Sequence, residues 1–360
     1  MPASEDAARA TTPAAAPRAP DQRPMPRPVL LVVSVDTEED NWQPCRENVT
    51  VENIRELPRL EALFRQLGVR ATYLTTYQVA TNHRAAATMR ELQAGGAEIG
   101  AHLHPWNTPP EDEPFLPRNT MLKNLPTTLQ LAKIERLTAT LQDAIGARPV
   151  VFRAGRYGLG SAAVGALIRC GYRIDTSVTP FVSWERFDDG PSFVGAPLAM
   201  YRLAGGGDVR VPEPQGRLLE IPMSIGYSRA PFGVWGRIQR GLAARPLRPL
   251  HLAGLASCLG VIRRIFLSPE MHSVADMLTL TRRLMDEGAQ HLHLFFHSPS
   301  LRPGLSPYSR DQAAVERLYR RIAEYVEQLA RRTSLAFVTI SEAATPPSRG
   351  ARPPGASAPR

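Results

Sequence analysis

Lysine is almost missing from this chain. Of 43 basic residues only Lys123 and Lys133 are lysines, so 41 are arginines, and the formal net charge is +9. Such an excess could mark a polyanion binder, or a compositional bias towards Arg, Ala and Pro. No helix-turn-helix, zinc finger or aromatic platform accompanies the charge, which argues against a nucleic-acid partner. Cysteine is scarce too. Cys45, Cys170 and Cys258 are odd in number and far apart, which excludes a disulfide framework or a thiolate metal site. No run approaches the ~18 apolar residues of a membrane span. Residues 1–28 lack the apolar core of a signal peptide and read as a disordered tail, as do residues 345–360. The expectation is one domain over 29–344 in a reducing, cytoplasmic setting.

What the chain does have begins at Val29. Six of the seven residues from Val29 to Val35 are apolar and four are valine, the pattern of a strand buried on both faces. Its end turns abruptly acidic, with Asp36, Glu38, Glu39 and Asp40 in five residues. Parallel α/β folds carry catalytic groups at the carboxyl ends of their strands.

Strand and helix then alternate at intervals of 20–30 residues. Helical spacing covers 51–67, 83–94, 128–146, 161–170, 272–287 and 311–332. Strands are expected at 69–74, 97–102, 149–153, 171–175, 291–297 and 335–340. This order signals parallel βα units. Residues 181–267 read as a decorating insertion of β-hairpins and helix, and the proline-rich loop 105–126 is long enough to be functional. Within 230–267, Arg237, Arg240, Arg245, Arg248, Arg263 and Arg264 surround an apolar patch. A basic amphipathic segment of this kind can make peripheral membrane contact, or simply pack on the barrel.

Other strand ends also carry polar chemistry. His102 and His104 stand two apart, as do Asp36 and Glu38, so each pair shares a face if the backbone stays extended. Two imidazoles and one carboxylate are a common catalytic zinc set. Arg153, within Phe152-Arg153-Ala154-Gly155-Arg156-Tyr157, could orient a buried carboxylate. The glycines around it would let peptide N–H groups approach a reacting carbonyl. Asp175 ends a further strand, as a site residue or as a turn former. His297 ends His291–His297 and could act as a general acid, while His291 and His293 read as structural. Glu39 and Asp40 read as the start of the loop after this first strand. Trp42, Trp106 and Tyr157 could stack on a ligand or pack locally.

The ordered series SVDTEED, ATYL, EIGAHLHPW, FRAGRYG, DTS and LFFHS resembles the polysaccharide deacetylase family, relatives of rhizobial chitooligosaccharide deacetylases, over Val29 to Ile340. The resemblance implies a distorted (β/α) barrel, usually seven-stranded, that removes acetyl groups from sugars with a divalent metal, commonly zinc. It implies Asp36 as catalytic base, His102 as a metal ligand and Arg153 as the residue that positions the base. It implies Tyr157 as the donor of an oxyanion-binding N–H, Asp175 as the carboxylate supporting the acid, and His297 as that acid. The chain departs from the family pattern at three places. Thr37 replaces a second Asp, which shifts the carboxylate ligand to Glu38. Trp106 stands where the second histidine is usual, leaving His104 as the candidate. Ala-Gly-Arg follows Arg153, so Arg156 could take the base-positioning role instead.

The implied partner is an acetylated glycan, N- or O-linked, at the cell surface or as a lipid-linked precursor. The rival readings are a non-catalytic glycan-binding relative with a lost metal site, and an amidase acting on another C–N bond. A non-haem iron oxygenase shares the ligand set but normally sits on an all-β barrel.

Overall fold

Strand β1 (Val29–Thr37) is flanked on both edges in the sheet, in a computed structural model that describes residues 28–146, 148–242 and 263–345. It pairs in parallel with β10 (His291–His297) along one edge. Along the other edge its first half pairs with β11 (Leu335–Val338) and its second half with β2 (Thr72–Thr75). Both edges and both faces are therefore occupied, which is why the segment is almost uniformly apolar. The sheet continues in parallel through β3 (Glu98–Leu103), β4 (Val151–Ala154), β5 (Ile174–Asp175) and β7 (Leu218–Glu220). The short β6 (Tyr201–Leu203) pairs antiparallel with β7 at the edge. Seven strands thus run parallel in the order β10-β1-β2-β3-β4-β5-β7, and β11 adds an eighth parallel strand beside β1. Between the two ends, β8 (Ile225–Tyr227) and β9 (Arg264–Phe266) form a separate antiparallel pair. Single hydrogen bonds link this pair onward, from Leu267 N–H to Ser224 O (2.9 Å) and from Phe295 N–H to Leu267 O (3.1 Å). The architecture is a distorted (β/α) barrel.

Helices α1 (Leu57–Leu67), α2 (Tyr77–Thr81), α3 (His83–Ala94), α4 (Thr127–Ile145) and α5 (Ser161–Arg169) follow the first strands. After α6 (Phe232–Leu242) come α7 (Val274–Asp286), α8 (Gln312–Ala330) and the short α9 (Ile340–Ala343). The α8 helix shows why these sequences are helical. Asp311 caps it through Ala314 N–H, and Val315, Leu318, Ile322, Val326 and Leu329 form one buried stripe.

Three expectations are adjusted. The helix expected over 51–67 is a 3-10 turn, Glu52–Glu56, followed by α1, whose first turn contains Pro58. The strand expected over 171–175 shrinks to its last two residues, because Gly171 (φ 85°) and Tyr172 still close the end of α5. Tyr172 N–H donates to Leu167 O at 3.0 Å. Within the expected insertion, β7 joins the barrel sheet itself. Residues 1–27, 243–262 and 346–360 lie outside the described residues. The two tails, and the central part of the membrane-contact segment, fall there. No described helix is long and apolar enough to cross a membrane.

One of the two lysines fastens the barrel to the loop that follows β3. Lys133, fully buried on α4, donates to the carbonyls of Pro105 (2.8 Å), Thr108 (2.7 Å) and Pro110 (2.6 Å), and its ammonium lies 3.2 Å from Glu113. Arg46 reaches the same loop through Trp106 O (2.7 Å) and Glu113 (2.7 Å). Three converging carbonyls suit a compact ammonium and not a planar guanidinium. Lys133→Met should therefore cost about 3–5 kcal/mol in urea unfolding, with Lys133→Arg failing to restore stability.

Candidate metal centre and the groups around it

The register of the sheet brings the polar strand ends together. Asp36 is directly paired with His297, and His102 with Arg153. Glu38, His102 and His104, all with little exposure, present three ligand atoms within 4.8 Å of one another. Glu38 Oε2 lies 3.5 Å from His102 Nε2 and 3.2 Å from His104 Nε2. Ligands at about 2.1 Å around a tetrahedral ion stand about 3.4 Å apart, so this spacing suits a shared cation.

The hydrogen bonds on the far side of each imidazole suit it too. His102 Nδ1 donates to the Arg153 carbonyl at 3.1 Å, and a carbonyl can only accept. His104 Nδ1 donates to Glu39 Oε1 at 2.6 Å, where Asn107 Nδ2 also donates at 2.6 Å. Each Nε2 can therefore direct a lone pair at the ion, the arrangement that outer partners impose on metal-ligating histidines. Glu39 thus belongs to the site and is not merely the start of a loop. Asp40 does serve the loop, accepting from Thr50, Glu52 and Asn53. Gly155 is needed for the approach, since a Cβ there would stand 2.5 Å from the His104 ring. Trp106 stacks on that ring, with centroids 4.2 Å apart.

Burial alone would raise the Glu38 pKa. Hydrogen bonds from His102 and His104 reverse this and hold it well below the carboxylate range. Burial would lower that of His104, but the Glu39 carboxylate, joined by Glu38, pushes it up to about 10. Two carboxylates around one imidazole make a locus for positive charge, whether proton or cation.

Asp36 stands beside this triad. Its Oδ1 accepts from the fully buried Arg153 guanidinium, and its Oδ2 faces His297 Nε2 at 3.6 Å. Arg153 also donates to Thr176 O (3.0 Å) and Ser34 Oγ (3.0 Å). Arg156 does not take this place, because it turns to Asp188 (2.7 Å) and Thr120. Arg156 and Tyr157 both hold left-handed backbone, at φ 53° and 57°. That conformation costs about 1–3 kcal/mol per residue and tends to be kept at functional sites.

The expected partner of His297 is corrected. Asp175 is buried away from it, accepting from the Ser177 N–H (2.9 Å) and hydroxyl (3.0 Å) and lying beside Glu220; burial pushes both carboxyls up. Glu270 holds His297 instead, accepting from its Nδ1 (2.9 Å) and its peptide N–H (3.1 Å). Burial would lower the His297 pKa, but Glu270 above all raises it to about 10. A sequence signal existed, since Glu270 is the sole acidic residue between Glu220 and Asp276 and nearly adjoins a histidine. His291 and His293 are structural: the first bonds Pro222 O (3.2 Å) and the second Ser34 Oγ (2.8 Å).

A cavity of about 320 Å³ opens over these groups. Asp36, Glu38, His102, His104, Tyr157 and His297 line it. Asp175 and Arg153 do not.

No protein-family model matches the sequence, and no curated protein matches it. Among solved structures, one from Mycobacterium smegmatis, assigned as a polysaccharide deacetylase, has a TM-score of 0.52 at 17% identity. The match covers 91% of this chain and 93% of that one. At that identity the likeness speaks for the fold. Two others are the Xyl-CE4 domain of a multidomain xylanase from the hindgut metagenome of Trinervitermes trinervoides and the peptidoglycan deacetylase PdaC from Bacillus subtilis. The first gives a TM-score of 0.42 at 10% identity, covering 91% and 94% of the two chains. The second gives 0.38 at 11%, covering 88% and 89%. These two scores are too low to add weight. The fold implied by the sequence resemblance is the fold observed.

Two outcomes are expected. Because the neighbouring carboxylates hold the His104 proton up to about 10, a zinc ion bound through its Nε2 would have to displace that proton at neutral pH. Affinity should then rise about tenfold per pH unit between 7 and 9, with about one proton released per ion in calorimetry. Glu270→Gln should lower the His297 pKa, read as a midpoint at lower pH in an imidazole NMR titration.

Proposed function

We propose that the chain is a metal-dependent carbohydrate deacetylase, which hydrolyses the acetyl amide (or ester) of an acetylated sugar. The observation that carries this reading is the Glu38–His102–His104 triad beside Asp36 and His297 on adjoining strand ends. A bound divalent cation, zinc in this reading, would acidify water and polarise the acetyl carbonyl. Asp36, oriented through Oδ1 by Arg153, offers its free Oδ2 to take a proton from the attacking water. The strained turn at Tyr157 offers a peptide N–H to the oxyanion. His297, charged through Glu270, gives a proton to the leaving amine as the C–N bond breaks. Water thus supplies hydroxyl to the acetyl carbon, and the products are acetate and an amino sugar.

A non-catalytic binder would not need a base and a charged imidazole poised on one side of the ligand triad. The site chemistry alone leaves an amidase acting on a different C–N bond as the neighbouring reading. Acetate release from a panel of acetylated glycans, with and without chelator, tests the proposal. Chelation should abolish release and zinc should restore it. His297→Ala should reduce kcat by about 10²–10⁴ with zinc still bound. Near-wild-type turnover by that variant would remove the acid role.

A further inference from the structure

The proposed deacetylase site has walls that suit a different molecule from a free sugar chain. With the reacting groups set aside, the side chains lining the cavity that carry an amide or a charge are Asn41, Gln43 and Arg156. Arg156 is already engaged by Asp188 and Thr120. A run of linked sugars presents many hydroxyls, and each needs a partner once it leaves water. Beyond those three side chains, only the Tyr157 and Tyr308 hydroxyls and the indole N–H groups are on offer, and that of Trp184 is already given to Thr179.

The apolar lining is extensive in comparison. Trp42, Trp184, Phe187, Phe266, Met271 and Tyr308 form much of it. Phe187 (57% exposed), Met271 (41%) and Tyr308 (38%) are among the few large apolar residues left exposed in the described chain, and all three share this rim. Exposed apolar groups gathered at a site mark an apolar ligand, whereas scattered ones mean little. The indole faces are partly used up, since Trp184 stacks on Tyr157 at 5.3 Å and Trp42 meets His297 and Tyr308 edge-on. Met271 is a poor platform for a sugar ring but adapts well to an alkyl chain. Behind the rim, Phe266 and Phe295 continue into a buried apolar cluster with Val182, Met223 and Ile225, so the wall is firmly backed. The volume, about 320 Å³, is at the lower end for ligand sites.

We infer that the substrate is an amphiphile, an acetylated sugar unit bearing an apolar chain, and not a hydrophilic polymer. This rests on the deacetylase reading for the reaction and on the cavity wall for the ligand class. The acetamide faces the Glu38–His102–His104 side, and the apolar chain leaves across Phe187 and Met271.

The test compares methyl, butyl and octyl glycosides of N-acetylglucosamine, below micelle-forming concentrations, with N-acetylglucosamine oligomers from dimer to hexamer. Zinc-loaded full-length protein is used. With the chain buried, kcat/KM should rise up to about fourfold per methylene, the equivalent of about 0.8 kcal/mol, so octyl should exceed methyl by at least about tenfold. The double variant Phe187→Ser, Met271→Ser changes two exposed residues and should bring the octyl-to-methyl ratio back towards one. A flat alkyl series, or a rise only along the oligomer series, overturns the inference. If no compound releases acetate, the deacetylase reading fails, and tryptophan quenching by the same glycosides decides the ligand class separately. Tighter binding of octyl than methyl, lost in the double variant, then supports the amphiphile site; equal or absent binding overturns it.

Discussion

One buried guanidinium ties the inside of this barrel together. Arg153 enters from β4 with no exposure, and its donors reach Asp36 and Ser34 on β1 and Thr176 just after β5. Ser34 in turn contacts His293 on β10 at 2.8 Å. A charge in that position is tolerable only with a full set of acceptors. Strands β1, β4, β5 and β10 must therefore keep a register that supplies them. The same register places Asp36 against His297 and His102 against Arg153. One residue thus serves both the strand register and the candidate site, its side chain holding Asp36 and its carbonyl orienting His102.

Around that core the site is built in layers of charge. Glu39 holds His104, Glu270 holds His297, and Arg153 holds Asp36, so each of these cavity-facing groups has an oppositely charged or accepting partner behind it. Preorganisation of this kind keeps the working atoms free on the cavity side. The loop carrying His104, Trp106 and Asn107 is held from outside by Lys133 and Arg46. In a chain that otherwise uses arginine, a lysine survives where three carbonyls converge on a point charge.

The strand–helix alternation, the buried β1 and the polar strand ends were legible in sequence, because period and composition report burial directly. Glu38 and His104 were legible as candidates from the resemblance and its departures, and the structure brings both beside His102. Glu270 and Glu39 were not. Glu270 lies 27 residues from His297 in sequence, and standing as the one acidic residue in a long stretch does not say which imidazole it meets. Glu39 points to the opposite side from Glu38 by alternation and still reaches His104, because the chain leaves β1 at Thr37 and alternation no longer applies. Asp175 misled for the converse reason: it ends a strand, but one whose end is buried beside Glu220.

The sequence by itself determined the strand–helix alternation of an α/β fold and the residue types available at each strand end. These follow from local hydrophobic period and from the strong preference of parallel strands for apolar residues. Only the tertiary structure decided which carboxylate serves which imidazole, which arginine reaches Asp36, and that the walls of the cavity are apolar. Those are contacts between segments far apart in the chain, set by sheet register and loop anchoring, which no local pattern encodes.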